Sequence, residues 1–499
     1  MTVSALKVFL WDKEVGRLSW DSRRGCSYFE FSREFLAGTL DAFPLIASIK
    51  NPTSARPIVC DKEAKLFKKL PPFIADSLPD AWGDQVFECW RVENGLRNQD
   101  ITPLDILSFI GKRGMGALEF IPETSGIGRN EQINLKTLTG LAQRIFSERE
   151  NVSIHPDETI TMRALVAVGT SAGGRQPKAI LAVNPTTGEI RSGQIAGQEG
   201  FEYCILKFGD PERSSAELEM AYYRMATAAG IQMMPCRLME VNGQRHFITG
   251  RFDRQDGRKL HIQTLAALYP EADSYEKLLM VCRKMRLPES AAEEIFRRMV
   301  FNIIANNTDD HNKNFSFIMD EKGTWILSPA YDMSFIFNSG GYQPESSRCL
   351  MVRGKFSGIT IEDVHGFARD NGIRRADTII KEVADAVAGF RQFAEAAGVQ
   401  KKWTSLVESC LKGHLEDWGL AGKQNFSFEI SGHLAEDVRL EQAYRGNIHL
   451  LAKIDGMQRK HVIRVKTSEY ERITEAGITK IPENVLKDMV IKHFIGDAR

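Results

Sequence analysis

The sequence lacks a charge excess, paired cysteine motifs and long apolar runs. Its 499 residues include 65 Lys and Arg against 65 Asp and Glu, so no overall basic field would draw it to nucleic acid or an anionic membrane. The eight cysteines are scattered without a C-x-x-C pair, which argues against a zinc site and is typical of reduced thiols. No apolar run approaches a membrane-spanning length, and no signal peptide is recognisable. We therefore expect a cytoplasmic protein without a membrane partner.

The most informative acids lie in a polar loop between an apolar helix and a hairpin. Asp309 and Asn314 have D-x-x-x-x-N spacing, and Asp332 follows the hairpin. Phosphoryl transfer from ATP needs a carboxylate near the attacking hydroxyl, and then oxygen ligands for Mg²⁺. This order predicts Asp309 as the catalytic residue and Asn314 and Asp332 as metal ligands. An Asn- and Asp-rich surface loop is the alternative. A calcium loop from Asp310 fails because Phe315 stands at the position that requires glycine.

Four segments resemble one known family. N-T-D-D-H-N-K-N-F-S-F and L-S-P-A-Y-D-M-S resemble the catalytic and metal-binding segments of the HipA family, the serine/threonine kinase toxins of bacterial HipA–HipB modules. S-L-P-D-A-W-G and I-G-K-R-G-M-G-A-L-E-F resemble its N-terminal subdomain. The resemblance implies an α+β, bilobal protein-kinase-like fold with antiparallel sheets in the N-lobe and a mostly helical C-lobe. It assigns residues 1–125 to the N-terminal subdomain, 133–249 to the N-lobe and 250–425 to the C-lobe. Residues 426–499 remain an extension of unknown role.

A glycine-rich loop leads into the predicted strand Ala179–Val183, after a short predicted strand at Leu165–Val168. Glycine lets backbone N–H groups approach phosphates, but the loop has neither a G-x-G-x-x-G nor a Walker pattern, and a plain hairpin connection is the alternative. The resemblance implies that Lys207 binds ATP and pairs with Glu219. It also implies that Ser171 is autophosphorylated, which switches the kinase off. The other residues that the resemblance places at ATP are Gly173, Gly174, Arg175, Gln176, Pro177, Lys178, Gly250, Arg251, Phe252, His311, Asn312, Lys313 and Tyr331.

The predicted function is transfer of the ATP γ-phosphate to a protein hydroxyl, with ATP and Mg²⁺ as cofactors. The resemblance implies a growth-inhibiting toxin neutralised by a HipB-like helix-turn-helix antitoxin. The balanced charge fits a protein that reaches operator DNA mainly through that antitoxin. The sequence does not identify the protein substrate, for which an aminoacyl-tRNA synthetase is one precedent in the family. Two alternatives stay open: a small-molecule phosphotransferase, and a catalytically silent kinase-fold corepressor bound to a helix-turn-helix partner.

Overall fold

Two compact units, residues 1–414 and 415–499, make up the computed structural model of the chain. The structure describes residues 3–61, 67–96, 100–124, 133–148, 164–166, 169, 176–338, 343–420, 426–430, 433–442, 447–455, 457–464 and 488–492. Four of the predicted site residues, Ser171, Gly173, Gly174 and Arg175, therefore lie outside the described residues, and so do residues 126–131, a Gly- and Asn-containing stretch that the sequence predicts to be a linker.

The described residues up to residue 124 form an antiparallel sheet with helices beside it. The sheet has the strand order β4-β3-β2-β1-β5. Its first three strands carry apolar side chains at alternate positions, which is the pattern of a sheet with one buried face. The strands are β1 (Ala5–Leu10), β2 (Lys13–Asp21), β3 (Cys26–Phe31), β4 (Ile58–Cys60) and β5 (Leu118–Ile121). The helices are α1 (Arg33–Leu36), α2 (Pro72–Ala75), α3 (Ala81–Glu93) and α4 (Pro103–Ile110), followed by α5 (Leu135–Glu148).

A second antiparallel sheet, with the order β7-β6-β8-β10-β9, corresponds to the predicted N-lobe. Its strands are β6 (Lys178–Val183), β7 (Ile190–Ser192), β8 (Glu202–Lys207), β9 (Cys236–Val241) and β10 (Gln244–Gly250), and helix α6 (Ser215–Ala228) packs against it. The strand predicted at Leu165–Val168 was wrong, because residues 164–166 are helical. So short an apolar run carries no periodicity that separates a buried helix from a buried strand.

The two sheets share one hydrophobic core. Val8 and Phe29 of the first sheet belong to the same buried cluster as Leu181 and Leu206 of the second, and all four side chains are at most 1% exposed. Each such side chain contributes about 1.5–3 kcal/mol when it is fully buried. The N-terminal sheet is therefore packed as an integral part of the unit that contains the N-lobe.

The remainder of the first unit is mostly helical, with small strands among the helices. The predicted hairpin is confirmed, since β14 (Ser316–Met319) pairs with β15 (Trp325–Leu327). β14 also pairs with β13 (His261–Thr264), although the sequence predicts that the chain turns helical from Gln263 onward. The sequence predicts one helix over residues 375–397, whereas the structure has two helices that meet at Gly389. The strands are β11 (Arg254–Gln255), β12 (Arg258–Lys259), β13 (His261–Thr264), β14 (Ser316–Met319) and β15 (Trp325–Leu327). The helices are α7 (Leu265–Leu268), α8 (Tyr275–Lys284), α9 (Glu289–Ile304), α10 (Ile361–Asn371), α11 (Ala376–Ala388), α12 (Phe390–Ala397) and α13 (Lys401–Asp417).

The second unit contains an antiparallel meander in which consecutive strands pair. The sequence predicts two strands here, at residues 447–454 and 461–465, whereas the described residues form four: β16 (Phe426–Ile430), β17 (His433–Gln442), β18 (Asn447–Ile454) and β19 (Met457–Arg464). The predicted final helix, residues 482–494, falls mostly outside the described residues. None of the helices in the described part of the chain is long and apolar enough to cross a membrane.

Candidate active site

Two lysines face each other across neighbouring strands of the second sheet. Lys178 of β6 is the register partner of Lys207 of β8, and both residues are buried. Like charges directly opposite each other destabilise an antiparallel pair. The arrangement therefore requires anionic groups close by, from the protein or from a ligand.

Two carboxylates supply that charge at Lys207. Its ammonium pairs with Glu219 of α6 and with Asp332, which lies beyond the hairpin. Asp332 has a φ of +53°, a left-handed conformation that costs about 1 kcal/mol or more for a residue other than glycine. The protein therefore holds an unfavourable backbone conformation at the point where this carboxylate reaches the lysine.

The charges of this cluster are coupled. Burial lowers the pKa of Lys207, but Asp332 and Glu219 outweigh burial and hold that pKa above its usual value. Burial raises the pKa of Asp332, yet Lys207 and Lys178 hold it well below its usual range. At Lys178 burial prevails and the pKa is lowered. At neutral pH the site therefore contains an ionised Asp332 beside a protonated Lys207.

The loop after α9, residues 305–314, separates two adjacent aspartates into different environments. Asp310 is buried and accepts hydrogen bonds from Tyr275 Oη and Arg348 Nη1, both at 2.7 Å, and from the backbone N–H of Cys349 at 2.9 Å. The Asp309 side chain is 55% exposed, and its Oδ1 lies 3.8 Å from His311 Nε2. Asp310 therefore holds the loop in place, whereas the Asp309 carboxylate is accessible to a substrate.

Side chains with oxygen atoms, from this loop and from the segment after the hairpin, line one small cavity. Asn314 and Asp332 both line the cavity, together with Asn307. Asn314 donates its Nδ2–H to the Asp309 backbone carbonyl at 2.7 Å, which leaves its Oδ1 as an acceptor. Asn307 Oδ1 is buried, and none of the described residues donates a hydrogen bond to it. Carboxylate and amide oxygens are suitable ligands for Mg²⁺, so the residues present fit that ion.

Lys313 is held at both its backbone and its side chain. Its carbonyl accepts a hydrogen bond from Tyr331 Oη at 2.7 Å, and its N–H donates to His311 Nδ1 at 3.2 Å. Its ammonium pairs with Asp80 at 2.6 Å. Sequence reasoning missed Asp80 because nothing in a single sequence links residues 233 positions apart.

The structure does not bring every predicted ATP-binding side chain to this cavity. Arg251 is buried and donates to Asp253 Oδ1 and to the Gly193 carbonyl, both at 2.7 Å. Asn312 donates its Nδ2–H to the Ala272 carbonyl at 3.3 Å.

The other described residues that were predicted to bind ATP contact the end of β8, the end of β10 and Tyr331. Gln176 Nε2 donates to the Phe208 carbonyl, and the Phe208 N–H donates to the Pro177 carbonyl, so the end of the glycine-rich loop is fixed to β8. Phe252 packs on Tyr331 with ring centroids 5.4 Å apart, and Gly250 ends β10. The roles of these residues in binding ATP stay predictions.

The two lobes, with a lysine–glutamate pair in one and an acid-bearing loop in the other, define a protein-kinase-like fold. Residues 6–121 match the model of the HipA N-terminal domain, and residues 170–390 match that of the HipA-like C-terminal domain. Together the two matches cover more than half of the chain. The chain belongs to the HipA family.

Individual relatives are distant. Y4mE of Sinorhizobium fredii, whose name describes a kinase, is 26% identical over 426 residues, 78% of this chain and 92% of that protein. The serine/threonine-protein kinase toxin HipA of Shewanella oneidensis is 20% identical over 361 residues, 66% of this chain and 74% of that protein. A solved complex of Shewanella oneidensis HipA, HipB and operator DNA has a chain that matches with a TM-score of 0.58 at 16% identity, covering 85% of this chain and 100% of that chain. At this identity the structural match establishes the fold.

Proposed function

We propose that this chain is a serine/threonine protein kinase of the HipA type, which transfers the γ-phosphate of ATP to a protein hydroxyl. The observation that carries the proposal is that Lys207 pairs with both Glu219 and Asp332. In protein kinases a strand lysine pairs with a helix glutamate, and a separate aspartate holds the metal. The accessible Asp309 carboxylate, on the loop that also carries Asn314, provides the remaining group that phosphoryl transfer requires.

Each residue has a distinct role in this reaction. Asp309 orients the substrate hydroxyl and accepts its proton. Lys207, Lys178 and Lys313 offer ammonium groups to the phosphate oxygens, so that the transferred group lies in line with the hydroxyl. Asn314 and Asp332 would hold Mg²⁺, which would supply positive charge to neutralise the charge that develops on the phosphate oxygens.

We also propose that the kinase acts as a toxin regulated by a partner and by its own modification. A HipB-like helix-turn-helix antitoxin would bind it and carry it to operator DNA, by analogy with the solved Shewanella complex of HipA, HipB and operator DNA. Phosphorylation of Ser171 would add about −1.5 to −2 charge to a loop shaped for ATP phosphates, which would exclude the nucleotide. The reaction belongs to the cytoplasm, where ATP is available.

Incubation of the full-length chain with Mg²⁺ and labelled ATP, followed by mass spectrometry of Ser171, tests the proposal. We expect phosphorylated Ser171 in the wild type and none in Asp309→Ala. Consumption of ATP only when a metabolite hydroxyl is supplied, with Ser171 unmodified, would identify a small-molecule phosphotransferase. A chain that forms no ADP and no phosphoserine would be the silent corepressor, and the kinase proposal would be abandoned.

A further inference from the structure

The turn that precedes α3 places an aspartate against the loop of the candidate site. Asp80 occupies the N-cap position of α3, where a carboxylate ordinarily accepts a hydrogen bond from the first helical turn. Here the Asp80 side chain makes no such capping bond. It pairs with the ammonium of Lys313 at 2.6 Å, and both side chains are more than two thirds buried. Helix α3 therefore lacks this stabilising cap, and the Asp80 carboxylate pairs instead with Lys313 in the loop of the candidate site.

A tryptophan in the first turn of α3 contacts the N-lobe sheet. The Trp82 indole N–H donates to the Lys178 carbonyl at 2.9 Å, and the Trp82 side chain is completely buried. Lys178 begins β6 of the N-lobe sheet, whereas Lys313 lies in the loop after α9. The segment Asp80–Trp82 thus connects the two lobes at two lysines that were predicted to bind phosphates.

Lys313 needs such a partner to act as a defined ligand. An unrestrained lysine side chain samples many rotamers, and its charge is then spread over a wide volume. Hydrogen bonds from Tyr331 and to His311 fix the Lys313 backbone. The Asp80 carboxylate fixes the far end by occupying one of the three ammonium N–H groups, which leaves two for phosphate oxygens.

We propose that Asp80 is a positioning residue of the phosphoryl-transfer site, supplied by the N-terminal subdomain to aim Lys313 at the transferred phosphate. This inference rests on the proposed kinase function. Trp82 completes the arrangement by fixing the start of β6, so the N-terminal subdomain sets the distance between the two lysines. The S-L-P-D-A-W-G segment thereby acquires a role in the reaction.

The effect of the Asp80 charge on ATP binding distinguishes a positioning residue from one that attracts the nucleotide. A carboxylate close to the phosphates repels them, so its removal does not weaken ATP binding through charge. We therefore expect Asp80→Asn to lower kcat by about 10- to 100-fold, the cost of a small misplacement at the reacting centre, without raising KM for ATP.

The experiment measures phosphate incorporation into the full-length chain over a range of Mg-ATP concentrations. The matched control is Asp84→Asn. It removes a carboxylate from the first turn of α3, and this carboxylate pairs with Lys68 at 3.1 Å rather than with Lys313. We expect the control to keep wild-type kcat and KM within about twofold, as for a surface ion pair. Asp80→Glu should restore most of kcat, and Asp80→Asn combined with Lys313→Gln should be no slower than Lys313→Gln alone.

Several outcomes would overturn the inference. They are an Asp80→Asn variant that matches the Asp84→Asn control, a higher KM at unchanged kcat, or losses that multiply when Asp80→Asn is added to Lys313→Gln. Thermal unfolding identifies a variant that fails to fold. If Asp80→Asn fails to fold, Asp80→Glu should still have a higher kcat than Lys313→Gln, and an equal loss of kcat in both would overturn the inference. An inactive wild type overturns the kinase proposal and this inference together, whereas an active wild type with an equally active Asp80→Asn overturns this inference alone.

Discussion

At the scale of single residues, two adjacent aspartates of the candidate site have different roles, one in the reaction and one in the structure of the loop. Asp309 and Asp310 are chemically identical, yet one is accessible and the other is buried under Tyr275 and Arg348. The spacing to Asn314 selects Asp309 in the sequence. The burial of Asp310 could not be predicted, because its hydrogen-bond donors come from distant segments of the chain. The difference gives a clear mutational contrast.

Asp309→Ala should abolish phosphate transfer, by at least about 100-fold, because it removes the proton acceptor, and it should change stability by less than about 0.5 kcal/mol. Asp310→Ala should destabilise the first unit by about 3–5 kcal/mol, because Arg348 then remains buried without its counter-charge. Urea unfolding and labelled-ATP transfer measure the two effects. Equal destabilisation by both substitutions would contradict this division of roles.

His261 makes stability depend on pH. It is completely buried, and burial lowers its pKa to about 4, with partial compensation by the Ala42 carbonyl. The unfolded chain, with a pKa near 6.5, binds more protons between pH 6.5 and 4, so stability falls as pH falls through this window. We expect His261 to account for a loss of about 2 kcal/mol between pH 7 and pH 5.

The measurement is urea unfolding at both pH values for the wild type and His261→Gln. His246, whose pKa burial also lowers, is present in both proteins and cancels in the comparison. The variant should lose about 2 kcal/mol less than the wild type over this pH interval. An identical pH dependence would show that His261 does not titrate as proposed.

At the scale of helices and strands, the elements that carry the candidate site residues are predicted well from their apolar patterns. The sequence predicts a strand from Glu202 that carries Lys207 and a helix over residues 215–229 that carries Glu219, because each has a clear apolar pattern and ends at a turn. Both elements are present in the structure. The strand β13 was missed, since its pairing with β14 is a tertiary contact that overrides local preference. The described part of the C-terminal meander likewise has four strands where two were predicted.

Helix α6 offers two glutamates for a test of the pairing with Lys207. Glu219→Gln should lower kcat/KM for ATP by about tenfold to a hundredfold, because it removes a charged hydrogen bond worth roughly 1.5–3 kcal/mol. Glu217→Gln is the matched control, since Glu217 lies 4.0 Å from Arg245 and away from Lys207. Kinetics of both variants over a range of ATP concentrations measure the effect, and equal losses would contradict a specific role for Glu219.

At the scale of the whole molecule, the division into two compact units leads us to expect that the first unit folds and acts without the second. The division at residues 414 and 415 falls within α13, so a truncation after Leu420 keeps that helix intact. The shortened chain should unfold cooperatively within about 2 °C of the corresponding full-length transition and should still phosphorylate itself. Calorimetry and labelled ATP provide the measurements. Loss of either property would show that the C-terminal unit is required for the fold or activity of the first.

The double pairing of Lys207 also has a consequence for the order of binding events. Before any nucleotide binds, Glu219 and Asp332 already occupy two of the three N–H groups of the Lys207 ammonium. A phosphate oxygen that binds the ammonium competes with Asp332 for its positive charge, and Asp332 is the carboxylate proposed to bind the metal. We therefore expect nucleotide and cation to bind cooperatively. A metal ion that binds Asp332 weakens the contact of this carboxylate with Lys207, so each ligand raises the affinity for the other.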